Sequence, residues 1–349
     1  MRARALLVLP ALLAAACGGS DGGSGDDGGL VTVRLLTHDS FTVPDGTFDP
    51  LEEEGIRVEL LKGGDAGTVV NQAILTKGNP QGDVLFGVDS TFLSRALDEE
   101  LFVAHAAEGI EDVDPALRVD GDPVTPVDYG DVCLNYDKAH FEERGLEPPD
   151  TLEDLVDPAY RDLLVVENPA TSSPGLAFLL ATVAELGEGG WQDWWRRLVD
   201  NGVAVVDGWE EAYYGEFSGG GGSEGDRPLV VSYASSPPAE VVFADPPVDD
   251  APTGVVEASC YRQVEYAGIL DGTDHEEEAA AVVDFLLSPA FQEELPLSMY
   301  VFPVHPDAEL PDVFVEHAAR PDDVLELPPE EIGANRERWI DEWTDIVLR

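Results

Sequence analysis

Leu163-Leu164-Val165-Val166 leads through Glu167 into Asn168-Pro169-Ala170-Thr171-Ser172-Ser173-Pro174-Gly175-Leu176-Ala177-Phe178-Leu179-Leu180. An apolar run bounded by turn formers reads as a buried strand. The apolar stretch from Pro174 onward reads as a helix. Proline has no N–H to leave unpaired in a first helical turn, and Ser173 before it suits the N-cap. A strand therefore enters a helix through a corner that carries hydroxyls, free backbone N–H groups and the positive end of a helix dipole. Such a corner holds phosphate, carboxylate or hydroxyl groups without a basic side chain. An ordinary capped helix fits the same residues, so the rest of the chain has to decide.

Towards the N-terminus, 31–37, 56–61 and 83–88 read as strands, with helices expected over 68–76 and 91–97. Alternating strands and helices predict a parallel sheet. Ligands sit beyond the carboxyl ends of such strands, where Asp39, Asp65, Asp89 and Ser90 fall. Thr151 with Asp154 three residues later resembles a capping box. Past the corner, 191–199 reads as an amphipathic helix with Trp194 and Trp195 packed into a core. Segments 203–206 and 229–232 read as strands, ending at Asp207-Gly208-Trp209-Glu210-Glu211-Ala212-Tyr213-Tyr214 and at Tyr233-Ala234-Ser235-Ser236-Pro237-Pro238. The glycine-rich stretch 218–226 reads as an exposed loop. Segments 125–136 and 263–270 read as strands that leave the first unit and return to it. Helices are expected over 275–287, 289–295 and 329–347, with 298–304 as an extended pass along a cleft between two α/β units.

Residues 1–17 combine Arg2 and Arg4, an apolar run and Cys17. This is the pattern of a secretory signal. Leu13-Ala14-Ala15-Ala16-Cys17 resembles a lipobox, with Ala14 where an aliphatic residue is usual; plain cleavage is the alternative. Residues 18–29 are rich in Gly, Ser and Asp and read as a flexible tether. The chain is expected to be exported to the periplasm or the outer face of the cytoplasmic membrane, anchored by a lipid on Cys17 and otherwise free of the bilayer.

The 349 residues carry 19 Lys and Arg against 71 Asp and Glu, a formal net charge of -52. Such a surface excludes nucleic acid and anionic headgroups as partners, because both need basic patches. It attracts cations, and it also keeps a protein soluble in a saline exterior. A hydrophobic share of 44% supplies cores for one large or two medium domains.

Cys133 and Cys260 lie near the two connecting strands, which would bring them close if they run side by side; a disulfide is expected, with two buried thiols as the alternative. The histidines 38, 105, 140, 275, 305 and 317 show no paired-ligand spacing, so no metal site is expected. No nucleophile elbow, phosphate loop or dinucleotide fingerprint occurs. A hydrolase using two carboxylates stays open in so acidic a chain, with nothing positive in its favour. Trp209, Tyr213, Tyr214, Tyr233 and Tyr300, beside acids such as Asp65, do stand out. Aromatic faces attract delocalised cations by roughly 0.5 to 2 kcal/mol each. Core packing is the alternative for any one of them alone.

Thr171-Ser172-Ser173-Pro174-Gly175-Leu176, Gly208-Trp209-Glu210-Glu211-Ala212-Tyr213, Ser232-Tyr233-Ala234-Ser235-Ser236-Pro237 and Ser288-Pro289-Ala290-Phe291-Gln292 are similar, in order and spacing, to the thiamine-binding proteins of bacterial ABC importers. His38-Asp39-Ser40-Phe41, Val127-Asp128-Tyr129-Gly130 and Arg338-Trp339-Ile340-Asp341-Glu342-Trp343 also fit. The resemblance implies a two-lobed α/β fold of the second periplasmic-binding type, each lobe a mixed sheet flanked by helices. Lobe 1 would be 30–127 with 263–349, and lobe 2 would be 128–262. It implies a monomeric, non-enzymatic protein that needs no cofactor, closes on thiamine or its phosphates and delivers the ligand to a permease. Asp65 and Ala66 would lie against the ligand, and Ser172 and Ser173 would bind its hydroxyethyl or phosphate end. Trp209 and the run Tyr233, Ala234, Ser235, Ser236, Pro237 would complete the second lobe's side, with Tyr300 from the return pass and Asp39, Asp89 and Tyr213 as secondary contacts. Tyr300 stands where the family has Trp, Ala66 where Gly is common, and Ala239 in place of a Tyr. Capture of ferric ion or another small cation by the same fold is the alternative.

Overall fold

The computed structural model describes residues 29–349. The leader, the expected lipidation site Cys17 and all but the last residue of the tether lie outside them. In chain order, the first unit runs β1 (Val31–Thr37), α1 (Asp49–Glu53), β2 (Ile56–Lys62), α2 (Ala66–Leu75), β3 (Val84–Asp89), α3 (Leu93–Asp98) and the short β4 (Phe102–Val103). The long β5 (Thr125–Asp137) then crosses to a second unit. That unit holds α4 (Lys138–Arg144), β6 (Leu164–Glu167), α5 (Ser173–Leu186), α6 (Trp191–Asp200), β7 (Ala204–Val206), β8 (Leu229–Tyr233) and α7 (Pro237–Val242). The longer β9 (Thr253–Leu270) comes back, followed by α8 (Glu276–Leu287), α9 (Pro289–Gln292), α10 (Leu295–Ser298), β10 (Phe302–Pro303), α11 (Asp312–His317) and α12 (Pro329–Val347).

The sheet is mixed and continuous rather than parallel, in the order β2-β1-β3-β9-β5-β8-β6-β7. β1 pairs in parallel with β2 and β3, and β6 with β7 and β8. Between these two parallel sets run β5 and β9, antiparallel to each other and to their outer neighbours β8 and β3. A chain that leaves one unit and returns must cross twice in opposite senses, and pairing the two crossings joins both sets into one sheet.

Side-chain alternation divides the core. Val33, Leu35, Val84 and Phe86 face one layer, with α8 and α9, while Leu36, Leu85 and Val88 face the other. Leu85 and Val88 share a face despite the odd spacing because the register of β3 on β9 shifts between Phe86 and Val88. In the second unit Leu164, Val166, Leu229 and Val231 pack beneath α5 and α6, whereas Val165 and Val230 meet Tyr213 and Phe217 on the reverse. Trp194, Trp195 and Trp343 form an edge-to-face chain, with ring centroids 5.3 and 5.5 Å apart, that seats α12 on α6.

The capping box at Thr151 and Asp154 forms, on a short 3-10 turn. Cys133 and Cys260 are joined as a disulfide between β5 and β9. The loop 218–226 departs from the expectation of simple exposure: Gly220 is buried, and a Cβ there would lie 2.2 Å from the Tyr213 carbonyl oxygen. The helical corner also differs by one residue. Ser172, not Ser173, is the N-cap of α5, its hydroxyl accepting from the Gly175 N–H at 3.5 Å.

Candidate functional site

The carboxyl end of β1, the start of α2, the start of α5, the turns after β7 and β8, Glu265 of β9 and the return pass 298–301 converge on one cavity of about 260 Å³. His38, Asp65, Ala66, Ser173, Trp209, Tyr213, Tyr233, Ser236, Ala239, Glu265 and Tyr300 are among its walls. A second hollow of about 440 Å³ opens beside it, bounded by Asp39, Thr68, Thr171, Asp207, Glu210 and Glu211, with Asp65 and Trp209 shared between the two.

Asp65 caps α2 and reaches across the cleft. Its Oδ1 accepts from the Ala66 N–H at 2.8 Å and the Ser173 N–H at 3.3 Å, and its Oδ2 accepts from the Trp209 N–H at 3.1 Å. Burial pushes its carboxyl above the usual range, against the pull of those N–H groups and of His38. The close approach requires Gly67, since a Cβ there would lie 2.8 Å from the Thr171 carbonyl oxygen. Beneath it the buried Asp89, at the end of β3, accepts from the Thr91 N–H at 2.6 Å and from the Ser173 hydroxyl. Burial outweighs these bonds and pushes Asp89 up to about 6.

Aromatic faces form the second unit's wall. Trp209 stacks on Tyr213, with centroids 5.0 Å apart and planes 23° apart, and meets Tyr214 edge to face at 5.5 Å. Its indole N–H donates to the Ser232 hydroxyl at 2.9 Å, which fixes the ring plane. Tyr213 and Tyr214 sit on a π-helical turn, Glu211–Glu216, and Trp209 lies just before it. Tyr300 approaches from the return pass with a left-handed backbone, φ 56°, and meets Phe243 edge to face at 6.1 Å.

The floor is acidic. His38 Nε2 lies 3.5 Å from Glu265 Oε1. Burial opposes a charge on His38, but Glu265 and then Asp65 raise its pKa above the ordinary value. Glu265 pairs directly with Asp128 across β5 and β9. Burial first, and then Glu265, drive Asp128 well above the carboxylate range. Glu167, buried at the end of β6 with neither carboxylate oxygen hydrogen-bonded, is driven up by burial in the same way.

Of the residues singled out by sequence, Asp65, Ala66, Ser173, Trp209, Tyr213, Tyr233, Ser236 and Tyr300 line the cavity. Asp39 borders the adjacent hollow, and Asp89 stands behind Ser173 without reaching the wall. The other four do not line the cavity either. Ser172 is turned into the α5 cap; Ala234 packs on Cys133 and Cys260; Ser235 is buried; Pro237 is buried in the first turn of α7. His38, Glu265, Phe243 and Met299 line the cavity without having been read as ligand contacts. Glu265 is buried among buried neighbours on a crossing strand, and nothing in its local sequence sets it apart from the other acids.

Among the described residues no group of three or more His, Cys, Asp and Glu is placed to hold a metal ion. No helix among them is long and apolar enough to cross a membrane.

A family model described as bacterial extracellular solute-binding protein matches residues 79–321. The chain is similar to the thiamine-binding periplasmic protein of Salmonella typhimurium, 30% identical over 326 residues that cover 91% of this chain and 94% of that one. It is similar in structure to a periplasmic thiamin binding protein, with a TM-score of 0.80 at 27% identity, covering 92% of this chain and 97% of the other. A ferric binding protein from Campylobacter jejuni gives a TM-score of 0.71 at 16% identity, covering 90% and 99%, a likeness of fold alone.

Proposed function

Because this chain belongs to the bacterial extracellular solute-binding proteins and has their two-lobed fold, we propose that it captures thiamine outside the cytoplasm and delivers it to an ABC import permease. The observation that carries this reading is a cavity in which the stacked Trp209 and Tyr213, with Tyr214, face Asp65 and Glu265. Thiamine bears a permanent thiazolium charge, a flat aminopyrimidine and a hydroxyethyl arm. Aromatic faces suit the rings and the delocalised charge, and a carboxylate suits the charge or the amino group.

The lobes in this reading are 30–127 with 263–349, and 128–262. They would close about the crossing strands β5 and β9, which carry few side chains into the cavity. Export, tethering through Cys17 and action as a monomer belong to the same proposal. So does the absence of turnover: the cleft binds and releases its ligand unchanged.

Calorimetric titration of protein stripped of ligand by unfolding and refolding tests the assignment. Tight one-to-one binding of thiamine is expected. No heat with folded protein, or hydrolysis of a sugar or phosphate substrate, would overturn it.

A further inference from the structure

Three carboxyl groups stand on adjacent rungs at the centre of the sheet. Asp89 of β3 faces Glu265 of β9, and Glu265 faces Asp128 of β5. Facing residues on paired strands put their side chains on one side of the sheet, so the three form a row from which Glu265 reaches the cavity wall. Their surroundings differ. Asp89 accepts from the Thr91 N–H, the Thr91 hydroxyl and the Ser173 hydroxyl. Asp128 is fully buried, and among the described residues no N–H or O–H donates to either of its oxygens. Its carboxyl is instead in hydrogen-bond contact with that of Glu265, and two carboxyls bond only when a proton lies between them. The pair therefore presents a single negative charge, on the Glu265 side, to the cavity.

The group that can balance this charge in the empty cleft is His38. Its ring lines the cavity, 8% exposed, with Nε2 3.5 Å from Glu265 Oε1 and no hydrogen-bond partner among the described residues. Gly87, with a φ of 90°, makes room for the ring, since a Cβ there would clash with it. The other charged and titratable groups nearby supply no fixed cation. Asp65 from the cap of α2, Asp89 from β3 and Tyr233 from β8 face His38 or the carboxyl pair. The Lys62 ammonium, at the end of β2, donates to the Asp39 carbonyl at 2.7 Å. Arg262 of β9 is bonded to Asp131 at 2.8 and 3.0 Å, and Arg336 of α12 donates to Glu337 at 2.7 Å. Among the described residues no lysine or arginine lines the cavity. Glu265 and Asp65 hold the His38 pKa above its ordinary value despite burial, so near pH 6 the ring is charged. A ligand with a permanent positive charge that settles against Glu265 meets that imidazolium as a like charge.

We propose, resting on the thiamine reading above, that the cleft takes up its cation in exchange for a proton: His38 as imidazolium holds the place beside Glu265 in the empty cleft, and the ligand's fixed charge displaces its proton. The exchange balances. One positive charge arrives with the ligand, one proton passes from the His38 ring to water, and the charge of the cavity floor is unchanged. The proton between Asp128 and Glu265 stays where it is and keeps the floor at a single negative charge. Asp128 is thus a positioning residue, and Glu265 is the anion for which the two cations compete.

The test is calorimetric titration of the ligand-stripped protein with thiamine in buffers of different ionisation enthalpy, where the slope of the observed heat against that enthalpy counts the protons released. About one proton per thiamine is expected at about pH 6, falling towards zero at about pH 8.5, with affinity rising by up to about tenfold per pH unit until His38 is neutral and then levelling off. Tight binding with no proton released at the lower pH overturns the proposal and leaves the thiamine reading intact. Failure of thiamine to bind overturns that reading, and the proposal with it. Three variants locate the exchange. His38→Gln should abolish the release and flatten the dependence of affinity on pH. Asp128→Asn, whose amide can still donate to Glu265, should keep the release. Glu265→Gln should weaken thiamine by about tenfold or more at the higher pH, where no proton is exchanged. Release kept in His38→Gln and lost in Asp128→Asn would place the proton on the carboxyl pair and overturn the assignment to His38. Unchanged affinity in folded Glu265→Gln would overturn the exchange at this carboxylate.

Discussion

The Asp65 carboxylate, on one side of the cleft, accepts the backbone N–H of Trp209 on the other at 3.1 Å. With its bond to the Ser173 N–H, this makes one side chain the tie between α2, α5 and the aromatic turn. Removing its charge leaves two N–H donors facing a weaker or misdirected acceptor. Hydrogen bonds to charged groups contribute about 1.5 to 3 kcal/mol, and every 1.4 kcal/mol is about tenfold in affinity. Asp65→Asn is therefore expected to weaken thiamine binding about 10- to 100-fold. X-ray scattering of the ligand-free variant should give a larger radius of gyration than wild type. Equal radii and equal affinities would remove Asp65 from this role.

Trp209 is half-buried and held by stacking on Tyr213 and by Ser232 rather than by the main core. Truncation should spare the fold and empty the cavity wall. Buried aromatic anchors of this kind cost about 2 kcal/mol or more when cut to alanine, so Trp209→Ala should lose at least about 30-fold in thiamine affinity. The thermal unfolding midpoint should move little. Unchanged affinity in a folded variant would be decisive against this wall as the ligand's contact.

The strands, the capping box and the closing helix were legible because each has a local or near-local cause, and the disulfide was legible because an exported chain with two cysteines besides Cys17, one near each connecting strand, leaves few other pairings. Alternation at 31–37 and the apolar runs at 84–89 and 164–167 are strand signals in any context. The single continuous sheet was not legible, because it depends on pairing β5 with β9 across more than a hundred residues. The cap of α5 was misplaced by one because Ser172 and Ser173 are equivalent locally; Asp65, from another unit, supplies an acceptor for the Ser173 N–H. The same non-local cause hid Glu265 and His38, which meet only when β9 lies beside β3 and β1 beyond it. In a chain with 71 Asp and Glu, an acid at the floor of a cleft carries no mark of its own.

Asp89 gives the fold a pH signature. Burial raises its folded-state pKa to about 6, above the unfolded value, so between roughly pH 4 and 6 the folded protein holds a proton that the unfolded chain has released. The stability linked to this group is fully present below that window and is lost as pH rises through 6. About two pKa units correspond to something on the order of 3 kcal/mol. Asp128 and Glu167, raised by burial, act in the same direction. Thermal unfolding between pH 4.5 and 7.5 should show wild type gaining stability on acidification more steeply than Asp89→Asn. Parallel curves for the two proteins would contradict the assignment.

The disulfide ties the two crossing strands at their midpoint, closing a loop across a sequence separation of 127 residues. Chain-entropy reasoning gives such a closure its largest effect in the unfolded state, about 2 to 4 kcal/mol in typical measurements. In the folded state β5 and β9 are held independently, by their ladder and by the paired bonds of Arg262 to Asp131 at 2.8 and 3.0 Å. The sulfurs also lie away from the cavity, packed on Ala234 beneath the β8 turn. The double change Cys133→Ala, Cys260→Ala should therefore lower the unfolding midpoint by several degrees while leaving thiamine affinity within about twofold. Mass measurement after alkylation without reductant should find neither sulfur modified in the native protein. A large loss of affinity in a folded double variant would instead make the disulfide part of the hinge that sets how the two units close.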